Sequence, residues 1–79
     1  MNRQESELQT TETVNVWLNG QPRQLANGTS VAALLAELGL APSHVAVEVN
    51  HELVPRASHI SREFVDGDRL EIVTLVGGG

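Results

Sequence analysis

Cysteine, lysine and tyrosine are absent from this 79-residue sequence, and only Trp17 and Phe64 are aromatic. Without cysteine there is no disulfide, no Cys-ligated zinc, no iron–sulfur cluster and no thiol nucleophile. No apolar run approaches the ~20 residues that cross a bilayer, so no membrane partner is expected. Residues 1–12, MNRQESELQTTE, lack the apolar stretch of a signal peptide, which makes the cytoplasm the expected location. Five arginines against ten Asp and Glu give a net charge of −5. That balance argues against nucleic acid, whose phosphate backbone demands clustered Lys and Arg. No phosphate-binding loop and no Ser/His/Asp constellation is present, and so short a chain has little room for a closed pocket. An enzyme acting alone is the least expected outcome.

What is present reads as one small domain. Residues 1–12 are polar and aperiodic, with Leu8 alone to bury, and are expected to be a flexible extension. The domain is expected over residues 13–76. Val14, Val16 and Leu18 alternate with polar or outward residues, as in a half-buried strand. Asn19-Gly20 is a strong hairpin signal, because both residues tolerate the positive φ of a type I′ turn. Gln21–Leu25 is the return strand, and Pro22, which cannot donate to a ladder, places it at a sheet edge. Thr29 or Ser30 is a helix N-cap. Val31, Leu34, Leu35 and Leu38 form the apolar stripe of an amphipathic helix, which Gly39 and Pro42 end. Val45–Val49 alternates again. Asn50-His51 predicts a tight turn, and Glu52-Leu53-Val54 a short return strand stopped by Pro55. Ile60 and Phe64, four apart, predict a helical turn or a loop anchored by both side chains. Asp66-Gly67-Asp68 is a turn signal, and a last strand is expected from Arg69 to Val76. One helix with four to five strands makes an α+β domain, the helix packed across one sheet face.

Four glycines fall where a turn or cap wants them. The other three, Gly77, Gly78 and Gly79, are consecutive and follow a strand. A glycine segment is expected to be flexible, and it can thread a channel too narrow for a β-carbon and bring a carboxylate to a buried centre. An ionised α-carboxylate can attack the α-phosphate of ATP, and the product is a mixed anhydride with a good leaving group. The chain has no groups of its own for that activation, so it needs a partner.

The order of elements and the Gly-Gly end resemble the ubiquitin-like β-grasp family and, within it, the MoaD–ThiS family of sulfur carriers. The likeness runs from about Val14 to Gly79. It is carried by Val16-Trp17-Leu18-Asn19-Gly20, Thr29-Ser30-Val31 with Leu34-Leu35, and Val45 to Asn50. Leu53-Val54-Pro55-Arg56 and Asp66 to Val73 complete it. Asn50 followed by Leu53-Val54-Pro55-Arg56 and then Asp66-Gly67-Asp68 is its most family-specific part. The twelve-residue extension departs from the compact family pattern. The resemblance implies a mixed β-grasp sheet and a carrier rather than an enzyme, monomeric when free and without a bound cofactor. A ThiF-like adenylyltransferase would activate the Gly79 carboxylate with ATP and Mg. Sulfur from a cysteine-derived donor enzyme would convert it to a thiocarboxylate, and the thiazole synthase ThiG would accept that sulfur for thiamine. The same tail chemistry serves carriers for molybdopterin or cysteine, and a ubiquitin-like modifier would form isopeptides from the same end.

Other features have plainer readings. His44, His51 and His59 have spacings that do not converge on one short element and read as loop histidines rather than metal ligands. Asp66 and Asp68 read as turn chemistry, the remaining calcium ligands being missing. Glu48, Glu52 and Glu71 read as a solvated face that could also steer a basic partner. Trp17, Val73 and Leu75 point away from the aliphatic face of their strands. If strands one and five are neighbours, they form with Val76 an exposed apolar patch leading to the glycines, a candidate partner interface.

Overall fold

The computed structural model describes residues 12–75. The expectations placed on residues 1–11, on Val76 and on Gly77, Gly78 and Gly79 lie outside the described residues.

Strand β1 (Thr13–Leu18) and strand β2 (Gln21–Ala26) form an antiparallel hairpin in register from Leu18 opposite Gln21 to Thr13 opposite Ala26. Asn19 and Gly20 join them with φ of 49° and 83°, the two left-handed residues that a type I′ turn demands. The backbone N–H of Asn27 donates to the Glu12 carbonyl at 2.9 Å, so hydrogen bonding continues past the ends of the hairpin strands. Helix α1 (Val31–Leu38) follows, with Ser30 as its N-cap. The Ser30 hydroxyl accepts from the Ala33 N–H at 3.0 Å. At the other end Gly39 has φ 74°, a conformation that costs a residue with a β-carbon about 1 kcal/mol. The Leu40 N–H then closes back on the Leu35 carbonyl at 2.9 Å.

A 3₁₀ turn at Pro42–His44 leads into strand β3 (Val45–Val49). Asn50 and His51, both left-handed, turn the chain into strand β4, which spans Glu52–Leu53 only. The Val54 N–H still donates to the Val47 carbonyl at 2.8 Å, but Pro55 has no N–H to continue the ladder. Strand β5 covers Arg69–Thr74, so that Leu75 already lies beyond it. One further backbone bond, Leu75 N–H to the His44 carbonyl at 2.8 Å, holds it to the turn before β3.

The five strands lie in the order β2-β1-β5-β3-β4. The β1–β5 pair is parallel and the other three pairs are antiparallel, so the sheet is mixed. The Pro22 strand is at one edge, as its missing donor predicts. Alternation sends Val14, Val16, Leu25, Val45, Val47, Val49 and Leu70 to one face, where Val31, Leu34 and Leu35 of α1 cover them. Phe64 and Val54 complete that core.

The segment between β4 and β5 departs from expectation. Phe64 is buried to 1% exposure, but Ile60 is 78% exposed and anchors nothing. His59 takes the inward position instead. The segment is a 3₁₀ turn at Arg56–Ser58 followed by further turns, so a spacing of four does not select one face. Its direction is set by bonds to the helix start: Ala32 N–H to the His59 carbonyl at 2.9 Å and Val31 N–H to the Arg62 carbonyl at 2.8 Å. His59 is therefore no surface histidine. Its Nε2 lies 3.2 Å from the Val54 carbonyl, and its Nδ1 is buried without a partner among the described residues.

Candidate functional site

Strand β5 carries the chain toward Gly77, Gly78 and Gly79, so the groups that fix β5 come first. At its start Asp68 is buried to 4% exposure. One carboxylate oxygen accepts from the Asn50 side-chain amide at 2.9 Å. The other accepts from the Val65 N–H at 2.9 Å and from the Arg62 guanidinium at 3.3 Å. The Asn50 amide oxygen in turn accepts from the Arg69 N–H at 2.9 Å. Asp66 accepts from the Asn15 N–H at 2.7 Å, and the Gly67 N–H donates to the Asn15 carbonyl at 2.8 Å. Asp-Gly-Asp is thus more than a turn: one aspartate grips β1 and the other is the buried hub that joins the β3–β4 turn to the start of β5. A buried carboxylate held by an amide, a backbone N–H and a guanidinium is compensated; stripped of them it would be costly. The motif that most closely marks the family resemblance therefore builds a structural clamp.

Along β5 the two sides alternate. Leu70 is fully buried, Ile72 partly so, and Glu71, Val73 and Leu75 face away from the helix. Val73 is 57% exposed and Leu75 50%. The structure places Ala46 of β3 opposite Val73, and Glu48 opposite Glu71. Leu53 of β4 stands beside Glu48 on the same bare face, 64% exposed.

Trp17 is also exposed, at 42%, but it does not join Val73 and Leu75 in one patch. β1 and β5 are neighbours, yet their register puts Trp17 opposite Arg69 and Leu18 opposite Leu70. Val73 lies four residues farther along, about 13 Å at a strand's rise per residue. Glu71 intervenes, and the Trp17 ring has the Arg69 guanidinium carbon 5.9 Å from its centroid. Where β1 stops, the Asn19 side chain takes its place beside β5. Its amide oxygen accepts from the Ile72 N–H at 2.9 Å and its amide nitrogen donates to the Ile72 carbonyl at 3.3 Å. Strand alternation reads the direction of Trp17 correctly; the register of a pair some fifty residues apart in sequence is not local information.

Sequence reasoning missed Asp68 and Asn50 as a pair and His59 as a buried group. The pattern Asn50…Asp66-Gly67-Asp68 was the available signal for the first. His44, His51 and His59 are not brought together, and no group of three His, Asp or Glu residues placed to hold a metal occurs among the described residues. No helix among them is long and apolar enough to cross a membrane.

A mixed sheet ordered β2-β1-β5-β3-β4 with one helix across one face defines a ubiquitin-like β-grasp protein. Known proteins narrow this. The model of the ThiS family matches residues 16–79. The sulfur carrier protein ThiS of Thermus thermophilus is 41% identical over 64 residues, 81% of this chain and 98% of its own length. A crystal structure of the thiamine biosynthesis protein ThiS from Geobacter metallireducens superposes with a TM-score of 0.69 at 32% identity, covering 84% of this chain and all of that one. A thiazole synthase of Paramagnetospirillum magneticum is 47% identical over 62 residues, 78% of this chain. The chain spans only about a fifth of the length of that enzyme (19%) and of a second thiazole synthase that it matches (20%). The chain belongs to the ThiS family.

Proposed function

We propose that this chain carries sulfur for the thiazole ring of thiamine as a thiocarboxylate on Gly79. A ThiF-type enzyme, using MgATP, joins the Gly79 carboxylate to AMP and releases pyrophosphate. The persulfide of a cysteine-derived donor enzyme then attacks the acyl carbon and displaces AMP, and a thiol cleaves the resulting acyl disulfide, leaving the thiocarboxylate and a disulfide. The thiazole synthase ThiG takes the sulfur, and an oxygen from water or from the acceptor replaces it on the acyl carbon, so that the carrier returns as the free carboxylate. Gly77 and Gly78 serve as a narrow spacer, since a segment without β-carbons enters a channel that other residues would block.

The observation that carries this reading is that Val73 of β5 and Leu75 just beyond it are exposed and that three glycines follow within four residues. A carrier needs a docking surface close to its acyl end, and four extended residues reach at most about 14 Å. Val73, Leu75 and Val76 are the docking residues beside that end, and Trp17 with Arg69 forms a second contact point toward the other end of the face. The similarity to thiazole synthases supports ThiG as the acceptor. The reading fits a chain without cysteine: reactive sulfur has to ride on an acquired group, and the acyl carbon supplies one.

Intact-mass analysis tests this directly. After incubation with the ThiF-type enzyme, MgATP and a cysteine-derived sulfur source, one oxygen of the chain should be exchanged for sulfur. Removal of Gly79 should abolish that change and leave the thermal unfolding temperature at the wild-type value. An unmodified wild-type mass in a mixture whose enzyme is active would end the proposal.

A further inference from the structure

The bare face of the sheet holds two like charges directly opposite one another. Glu48 of β3 and Glu71 of β5 are register partners, and both side chains leave on the side away from the helix. Residues directly opposite in an antiparallel pair have β-carbons about 4.5–5.5 Å apart, and like charges there are destabilising. The ion pairs among the described residues, Arg23–Glu37 and Arg62–Asp68, involve neither glutamate. Arg69, on the same face, stands against the Trp17 ring. The glutamates do not open onto plain polar surface either. Leu53 flanks Glu48 on the β4 side, and Ala46 and Val73 form the next rung of the ladder. Two carboxylates in no ion pair among the described residues are flanked by exposed Leu53 and Val73 and by half-buried Ala46, on a rung next to the proposed docking residues Val73 and Leu75.

We infer that the Glu48–Glu71 rung is the seat of a basic side chain of the adenylating enzyme, an arginine whose guanidinium bridges both carboxylates while its stem packs on Leu53, Ala46 and Val73. A planar fork of donors suits two adjacent carboxylates better than the point charge of an ammonium. The inference rests on the proposal above that such an enzyme docks on this face, and it adds the recognition chemistry. It also accounts for the repulsive rung: a pair that costs the free carrier stability is offset only in the complex, where it discriminates against acidic or neutral surfaces.

The test measures two quantities of opposite expected sign. In the free chain, Glu48→Gln combined with Glu71→Gln should raise the urea midpoint, because the repulsion is gone. At low salt, about 50 mM, the same variant should bind the ThiF-type enzyme about tenfold more weakly than wild type and lose most of the salt dependence of binding. Each single variant should show a smaller change of the same two signs. Glu37→Gln makes an identical change of charge on the helix, outside this face, and should keep wild-type affinity. A purely structural pair would shift stability and leave binding alone. Affinity of the double variant within about twofold of wild type, or an equal loss caused by Glu37→Gln, would overturn the inference and leave the sulfur-carrier proposal standing. A wild-type chain that fails to bind the enzyme at all would overturn the docking proposal, and this inference with it.

Discussion

The two faces of this sheet have been given opposite tasks. On the helix side, Val16, Val47, Val49 and Leu70 are each at 3% exposure or less, and every neighbour along a strand reinforces the burial of the next. On the bare side, Trp17, Leu53 and Val73 stand among Arg69, Glu48 and Glu71, with Glu48 opposite Glu71 on one side and Leu53 on the other. The first pattern is what a small core needs in order to offset the entropy of ordering the chain. The second is the pattern that the proposed docking of a partner on this face would use.

Substitutions that respect or violate this division should separate cleanly. Phe64→Ala empties the fully buried end of the core and should cost about 3–5 kcal/mol in chemical denaturation. A loss below 1 kcal/mol would mean that the helix-side face is not the main source of stability. Asp68→Ala strips the partners from Asn50, Arg62 and the Val65 N–H at once, and should cost about 2–4 kcal/mol with no change in the chemistry of the acyl end. Asp68→Asn should recover part of that. His51→Gly relieves a left-handed histidine in the β3–β4 turn and should stabilise by about 0.5–1 kcal/mol. Val73→Asp or Leu75→Asp should change stability by only about 0.5 kcal/mol yet weaken binding to the adenylating enzyme. A folded aspartate variant with wild-type affinity would remove the bare face as the docking surface.

Much of the fold was legible from local patterns. The Asn19-Gly20 turn, the Ser30 cap, the stripe Val31-Leu34-Leu35 and the stop at Gly39 each depend on residues within a few positions of one another, so the sequence displays them directly. The valines of β3 likewise announce their own face. Where reading failed, the deciding contact was remote. Ile60 looked inward because a spacing of four suits a helix, but the segment is turned by bonds to the start of α1, and His59 goes inside. Asp68 looked like an ordinary turn residue because its main partner, Asn50, lies eighteen positions away. Trp17 and Val73 looked adjacent because alternation gives direction and not register. The candidate site was legible only in part for the same reason. Exposure of Val73 and Leu75 follows from the β5 pattern alone, whereas the Glu48–Glu71 rung exists only once β3 and β5 are aligned.

The central position of β5 has a mechanical consequence. A partner that grips the glycine end and pulls loads a strand flanked by β1 and Asn19 on one side and by β3 on the other. Tension along that axis is shared as shear by many bonds together instead of peeling them apart one after another, as it would at an outer strand. Under the proposed function, a carrier seized by its glycines would thereby be protected against unravelling at each transfer.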